Sequence, residues 1–265
     1  MQIIEAIVLG LIQGLTEFLP VSSSGHLVLL QNLFGMHEAT QAFTILLHVA
    51  TLIAVFVYYW KDIWALICHP FQRTTALLIA GTIPTVIIAL LFNDTFDSIF
   101  GSGKFIGFNF IFTGCILLYA DSRKGGRKKI RNMSIFDSLV VGLMQGVAIL
   151  PAVSRSGMTI SACLGRNMDR ENAARFSFLL SIPAILGGMV LTIKDMITGK
   201  VVLTEAIGLI PMIAGFIVAA ISGYFAIRFM VSVIKNGKLK WFSAYVFILG
   251  SILILDQFVL HIIVK

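Results

Sequence analysis

Long uninterrupted apolar blocks govern what this chain can fold into. Residues 42 to 60, 75 to 92, 105 to 120, 176 to 193, 207 to 230 and 241 to 262 are each apolar and flanked by polar residues or turn formers. At a rise of about 1.5 Å per residue, blocks of this length cross a hydrocarbon layer of about 30 Å. In that layer the backbone must satisfy itself, which leaves helices or a closed barrel, and a barrel needs an alternation these runs lack. Only 12% of residues are charged, against roughly 25% in a soluble domain. A 58% hydrophobic content is too apolar for disorder. The expected fold is an all-α polytopic membrane protein, one membrane domain over residues 1–265 with six transmembrane helices.

The first charge is Glu5, with no Lys or Arg before it, so the basic start of a cleavable signal is missing and the N-terminus is expected to stay on. Cys68, Cys115 and Cys163 are too scattered for a metal site or a disulfide framework and read as packing residues. The net charge of +7 is concentrated in the segment Arg123 to Arg131. It reads as a cytoplasmic topology anchor rather than a nucleic-acid patch. The same rule puts the loops Lys61 to Arg73 and Lys235 to Lys240 inside, and the Asp94, Asp97, Lys104 and Lys194 to Lys200 loops outside.

Residues 3–33 and 135–165 behave differently, each an apolar run broken in its middle by Pro, Gly and serines. At an offset of 132, Gly10, Gln13, Gly14, Val21, Ser22, Ser24 and Gly25 fall on Gly142, Gln145, Gly146, Val153, Ser154, Ser156 and Gly157. The chain therefore reads as a duplication: repeat 1 over about 1–120 with re-entrant pair 3–33, a basic cytoplasmic loop 121–134, and repeat 2 over about 135–265 with re-entrant pair 135–165. Three spans in the first half require the second half to run the opposite way, so the repeats are expected to be inverted. Broken helices at matching positions of inverted halves point to a site near the midplane, with half-helix N-termini facing an anion such as phosphate.

The halves are most informative where they differ. Glu17 faces Ile149, Ser23 faces Arg155 and His26 faces Met158. An intramembrane arginine is costly, and its fork suits phosphate oxygens; an ion pair with Glu17 is the other reading, and the two can coexist. Glu17 reads first as a ligand for magnesium or calcium and second as a general base. Gln13, one turn earlier, can add a neutral oxygen to the metal or orient Glu17. Ser23 and His26, three apart at a helix start, can meet as nucleophile and base; alternatively Ser23 caps the helix, or His26 protonates the leaving phosphate while water attacks. His48, inside an apolar run, can reach the cavity or be a buried packing histidine, and is not taken as a site residue.

The run Gly14-Leu15-Thr16-Glu17-Phe18-Leu19-Pro20-Val21-Ser22-Ser23-Ser24-Gly25-His26, with Ser154-Arg155-Ser156-Gly157, resembles the bacterial undecaprenyl pyrophosphate phosphatase family of the bacitracin-resistance type. The resemblance extends over essentially the whole chain, including Gly81 to Pro84 and Phe176 to Pro183. It implies a hydrolase that converts undecaprenyl pyrophosphate to the monophosphate carrier of peptidoglycan synthesis. It also implies a multi-pass protein of the bacterial cytoplasmic membrane, with six spans and two re-entrant pairs, a site open to the outer side, and dependence on a divalent cation, Mg2+ or Ca2+. The functional positions carried over are Glu17, Ser23, His26 and Arg155, with Thr16, Ser22, Ser24, Ser154, Ser156 and Gly157 as contacts to the substrate. Gln13 stands where some members have glutamate. Expected partners are the polyprenyl pyrophosphate lipid and the bilayer, with a homodimer as a candidate assembly and no nucleic acid. A secondary transporter is the rival class, since it shares inverted repeats and broken helices but needs no nucleophile with a base.

Overall fold

The structure is a computed structural model that describes residues 1–35, 40–102, 105–123, 125–198 and 207–260. Lys104, Lys124 and Lys200, with His37 and His261, lie outside the described residues, as do the side chains of Asp94 and Asp97. The helices are α1 (Ile3–Phe18), α2 (Ser23–Leu33), α3 (Thr40–Tyr58), α4 (Trp60–Cys68), α5 (Arg73–Ser102), α6 (Ile106–Ser122), α7 (Ile135–Val147), α8 (Arg155–Gly165), α9 (Arg170–Ile197), α10 (Leu209–Lys235) and α11 (Lys240–Leu255).

Each predicted apolar block is a helix, and each broken run is a helix pair. Among the described residues four helical stretches are long and apolar enough to cross a membrane: Arg73–Phe92, Arg170–Asp195, Leu209–Lys235 and Lys240–Val259. A fifth is obtained if α3 and α4, bent by 84° at their junction, count as one span. The apolar helices α6 and α7, of 17 and 13 residues, are shorter. Helix α5 leaves helical geometry at Phe92 (φ −117°), where the predicted block ends. One face of α5 exposes Ile79, Ile83, Ile87, Leu90 and Leu91. Recurring every third or fourth residue, these make a stripe that water would penalise and lipid accepts. The chain is thus a multi-pass helical membrane protein.

The two broken helix pairs rest on each other's halves. Helix α1 packs along α10, and α7 packs along α5. Both crossings are backbone to backbone. A Cβ on Gly10 would lie 2.4 Å from the Gly215 carbonyl oxygen, and one on Gly142 would lie 1.9 Å from that of Gly81. Small residues at such crossings allow dispersion contacts and direct hydrogen bonds to the facing backbone. Along α5 and α7, Ser138 Oγ donates to the Leu77 carbonyl at 2.5 Å, and Thr85 Oγ1 donates to the Gly142 carbonyl at 2.9 Å. Helix α6 lies against α11 and α8.

The basic segment is tied down rather than free. Gly126 N donates to the Met168 carbonyl, Lys128 N to that of Asn167, and Asp169 N to that of Lys128. Lys128 Nζ and Arg166 Nε reach the two oxygens of the buried Asp137, at 2.9 and 2.6 Å. Of the three cysteines only Cys163 is buried; Cys68 and Cys115 sit on outward faces, so packing accounts for one of them and not for all three.

Gly142→Val places atoms where the Gly81 backbone already lies, so it is expected to lower the thermal unfolding midpoint of detergent-purified protein sharply, on the scale of overpacking losses of roughly 1–3 kcal/mol or more. Gly187→Ala, whose Cβ meets nothing within 4 Å, is expected to leave the midpoint unchanged or raised.

Candidate functional site

The site is built where the two breaks meet. At the first, α1 ends and the chain turns through Ser22, whose φ of +68° is unusual for a residue with a side chain, into α2. At the second, α7 ends and the chain turns through Ala152, at φ +63°, into α8. The caps make the same side-chain contacts on different backbones, Ser22 at φ +68° and Ser154 at φ −78°. Ser22 Oγ accepts from Gly25 N at 3.4 Å, and Ser154 Oγ accepts from Gly157 N at 3.1 Å. Each capping hydroxyl also lies 3.2 Å from the serine two residues on, Ser24 or Ser156. Those second serines stitch the breaks together, since Ser24 Oγ accepts from Ala152 N and Ser156 Oγ donates to the Leu19 carbonyl. Capping leaves two positive helix ends facing the same small volume.

Glu17, from the last turn of α1, sits between those ends with only 5% of its side chain exposed. Both residues that open the second half-helices reach it. Ser23 Oγ donates to Oε2 at 2.6 Å, and Arg155 Nη2 donates to Oε1. Gln13 Nε2 donates to Oε2 at 3.0 Å, and His48 Nε2 stands 3.7 Å from the same oxygen. The offset-related pair Ser23 and Arg155 therefore converge on one carboxylate, which desolvation makes dependent on these donors.

His26 is oriented elsewhere. Its Nδ1 lies 2.7 Å from the Ser22 carbonyl oxygen and its Nε2 2.7 Å from Tyr245 Oη on α11. The Tyr245 ring stacks on the imidazole at 5.7 Å and 13°, and Phe110 meets it edge-on at 5.4 Å. The expected Ser23 to His26 contact is thus replaced by Ser23 to Glu17. Three-residue spacing puts two side chains on one face, but the backbone turn at Ser22 aims Ser23 back at α1, and the Ser22 carbonyl draws the imidazole away.

All six of the proposed substrate contacts have partners inside the protein, the four serines in the caps and stitches just described. Thr16 Oγ1 donates to the Ile12 carbonyl of its own helix, and the Gly157 amide is taken by its cap. Four residues beyond the sequence-derived set help to build the site. His48 belongs to it, and its signal was an ionisable group inside an apolar run. Asn109 donates to the Pro151 carbonyl at 2.7 Å, and Thr113 accepts from Ser154 N at 3.2 Å, so α6 holds the second break in place. Neither these two nor Tyr245 differs in sequence from ordinary span residues.

Among the described residues no group of three or more His, Cys, Asp or Glu is placed to hold a metal. The donor set still fits a hard cation that takes most of its ligands from phosphate. Gln13 Oε1 is buried with no hydrogen-bond partner, beside the Glu17 carboxylate. Gln145 Oε1 is unpartnered as well, but there Ile149 takes the place of the carboxylate.

Residues 6–252 match the family described as bacitracin resistance protein BacA. A protein of Carboxydothermus hydrogenoformans named undecaprenyl-diphosphatase is 51% identical over 253 residues, covering 96% of this chain and 97% of that protein. Undecaprenyl-diphosphatase 3 of Bacillus cereus is 48% identical over 255 residues, covering 96% and 97%. The undecaprenyl-diphosphatase of Halothermothrix orenii is 41% identical over 257 residues, covering 96% and 98%. With a family match across nearly the whole chain and relatives of this similarity, the chain belongs to the bacitracin resistance protein BacA family.

Proposed function

We propose that the chain is an undecaprenyl-diphosphatase, which hydrolyses undecaprenyl pyrophosphate to undecaprenyl phosphate and inorganic phosphate. This returns the lipid carrier to peptidoglycan synthesis and confers bacitracin resistance. The observation that carries the site assignment is the convergence of Ser23 and Arg155, one from each break, on the buried Glu17. Full-length relatives named for this activity support the substrate.

Arg155 is the anchor for the terminal phosphate. Its fork spends a donor on Glu17 until a phosphate offers two oxygens in the same plane. When the guanidinium turns to the phosphate, Glu17 loses its strongest hydrogen-bond donor and gains basicity. It is then poised to take the proton of Ser23, 2.6 Å away, as the hydroxyl oxygen attacks phosphorus. The capped ends of α2 and α8 stabilise the charge that builds on the phosphoryl oxygens. His26 provides the proton for the departing undecaprenyl phosphate; water then attacks the phosphorus of the phosphoserine, and Glu17 returns its proton to the Ser23 oxygen as phosphate leaves. Glu17 and the free oxygen of Gln13 would hold a divalent cation, Mg2+ or Ca2+, which would supply charge neutralisation for the diphosphate.

The finer architecture belongs to the same reading. Six spans and two re-entrant pairs form inverted repeats, with the basic segment in the cytoplasm and the site open to the outer side. The exchanged packing of α1 on α10 and α7 on α5 supports it, because a two-fold relation between halves converts one contact into the other. Prenyl-chain binding falls to the apolar outer faces, and a homodimer is the proposed assembly.

Purified protein is expected to release phosphate from undecaprenyl pyrophosphate. Glu17→Gln, Ser23→Ala and Arg155→Lys should each lose roughly 100-fold or more in kcat, since each removes a donor or base that acts on the reacting charge. Full activity in Ser23→Ala would replace attack by serine with attack by water, and a folded wild type with no release would point to a carrier instead. Chelation is expected to abolish release, and Gln13→Ala should raise the metal concentration needed for half-maximal rate. In orientation tests, a membrane-impermeant maleimide should label the exposed Cys68 in inverted vesicles and not in intact cells; the reverse pattern would turn the whole topology over.

A further inference from the structure

His26 is hydrogen-bonded at both ring nitrogens, and the partners are not equivalent. Nδ1 faces the Ser22 carbonyl at 2.7 Å. A carbonyl only accepts, so Nδ1 carries a hydrogen whether the ring is neutral or charged. All proton traffic of this imidazole therefore passes through Nε2, and Nε2 faces the hydroxyl of Tyr245 at 2.7 Å. A phenolic hydroxyl suits both states, donating to a bare Nε2 and accepting from a protonated one. No serine takes that place, since Ser23 Oγ is bound to Glu17 and the two hydroxyls Ser22 and Ser24 are in contact with each other.

The surroundings fix the pair. Phe110 meets the imidazole edge-on while Tyr245 stacks on it nearly parallel, at 13°. Tyr245 is itself 46% exposed, and the imidazole its hydroxyl meets is half-buried. Tyr245 comes from α11, 219 positions along the chain, and supplies the partner of Nε2 that the residues around the break do not.

On these grounds, and resting on the phosphatase reading above, we propose that Tyr245 is the residue through which His26 exchanges its proton with the substrate. As the bond from the terminal phosphorus to the bridging oxygen breaks, that oxygen takes the hydroxyl hydrogen of Tyr245. The phenolic oxygen takes the hydrogen of Nε2, and the imidazolium becomes neutral. The water that then attacks the phosphorus of the phosphoserine gives up a proton by the same route as its oxygen bonds to phosphorus, which restores the imidazolium.

The experiment is a double-mutant cycle of phosphate release from undecaprenyl pyrophosphate in detergent, with wild type, Tyr245→Phe, His26→Ala and the two combined. Tyr245→Phe keeps the stacked ring and removes only the oxygen. It should lower kcat by at least about tenfold, the rate equivalent of one lost hydrogen bond, with KM little changed. Combined with His26→Ala it should add no further loss. Wild-type kcat in Tyr245→Phe, or losses that multiply in the double variant, overturns the proposal while leaving the phosphatase reading standing. A second measurement is independent of turnover. In protein carrying 15N-histidine, the Nε2 resonance identified by its absence in His26→Ala should move on Tyr245→Phe while its Nδ1 partner stays protonated. An unmoved Nε2 resonance overturns the proposal even if the wild type were to release no phosphate, an outcome that would separately end the phosphatase reading.

Discussion

The ion pair between Glu17 and Arg155 joins two segments that the chain keeps 138 positions apart. Each partner sits in the break of a helix, where backbone groups are already without intrahelical partners, and each is poorly solvated. A buried pair of this kind adds little net stability over apolar packing, but removing one partner strands the other at a cost of about 3–5 kcal/mol. Its value is positional. It fixes the distance between the two half-helix ends, and Ser23, Gln13 and His48 then take their places around the same carboxylate.

Around that pair the molecule is nearly symmetric in its scaffolding and asymmetric in its chemistry. Caps at Ser22 and Ser154, second serines at Ser24 and Ser156, and glycine crossings at Gly10 and Gly142 repeat from half to half. The opening residues of α2 and α8 do not repeat, being a hydroxyl in one and a guanidinium in the other. Two equivalent positions facing one carboxylate thus carry a hydroxyl and a guanidinium, which the proposed mechanism uses as nucleophile and anion anchor, without any change to the frame that holds them.

That asymmetry is also why part of the site was legible before any coordinates. Glu17, Ser23 and Arg155 stand out as differences between matched segments, and a charged residue in an apolar run carries its own signal. Helix existence was equally plain, because the apolar blocks leave the backbone no other solution in lipid. Side-chain direction was not. Ser23 and His26 share a helical face by spacing, yet Ser23 is bound to Glu17 and His26 to the Ser22 carbonyl and Tyr245, and no pattern in one sequence announces those partners. His48, Asn109, Thr113 and Tyr245 were overlooked or discounted for a related reason. They lie in ordinary spans, and only the packing of α3, α6 and α11 against the breaks gives them work.

The exchanged packing bears on the order in which the protein can be made. Helix α1 leaves the ribosome long before α10, the surface it rests on. Until Leu209–Lys235 arrives, the glycine face of α1 has nothing to close against. Arg155 reaches Glu17 only from a helix made in between. The carboxylate at the centre of the site is therefore made well before the helices that enclose it, and the site cannot close until α10 has been synthesised.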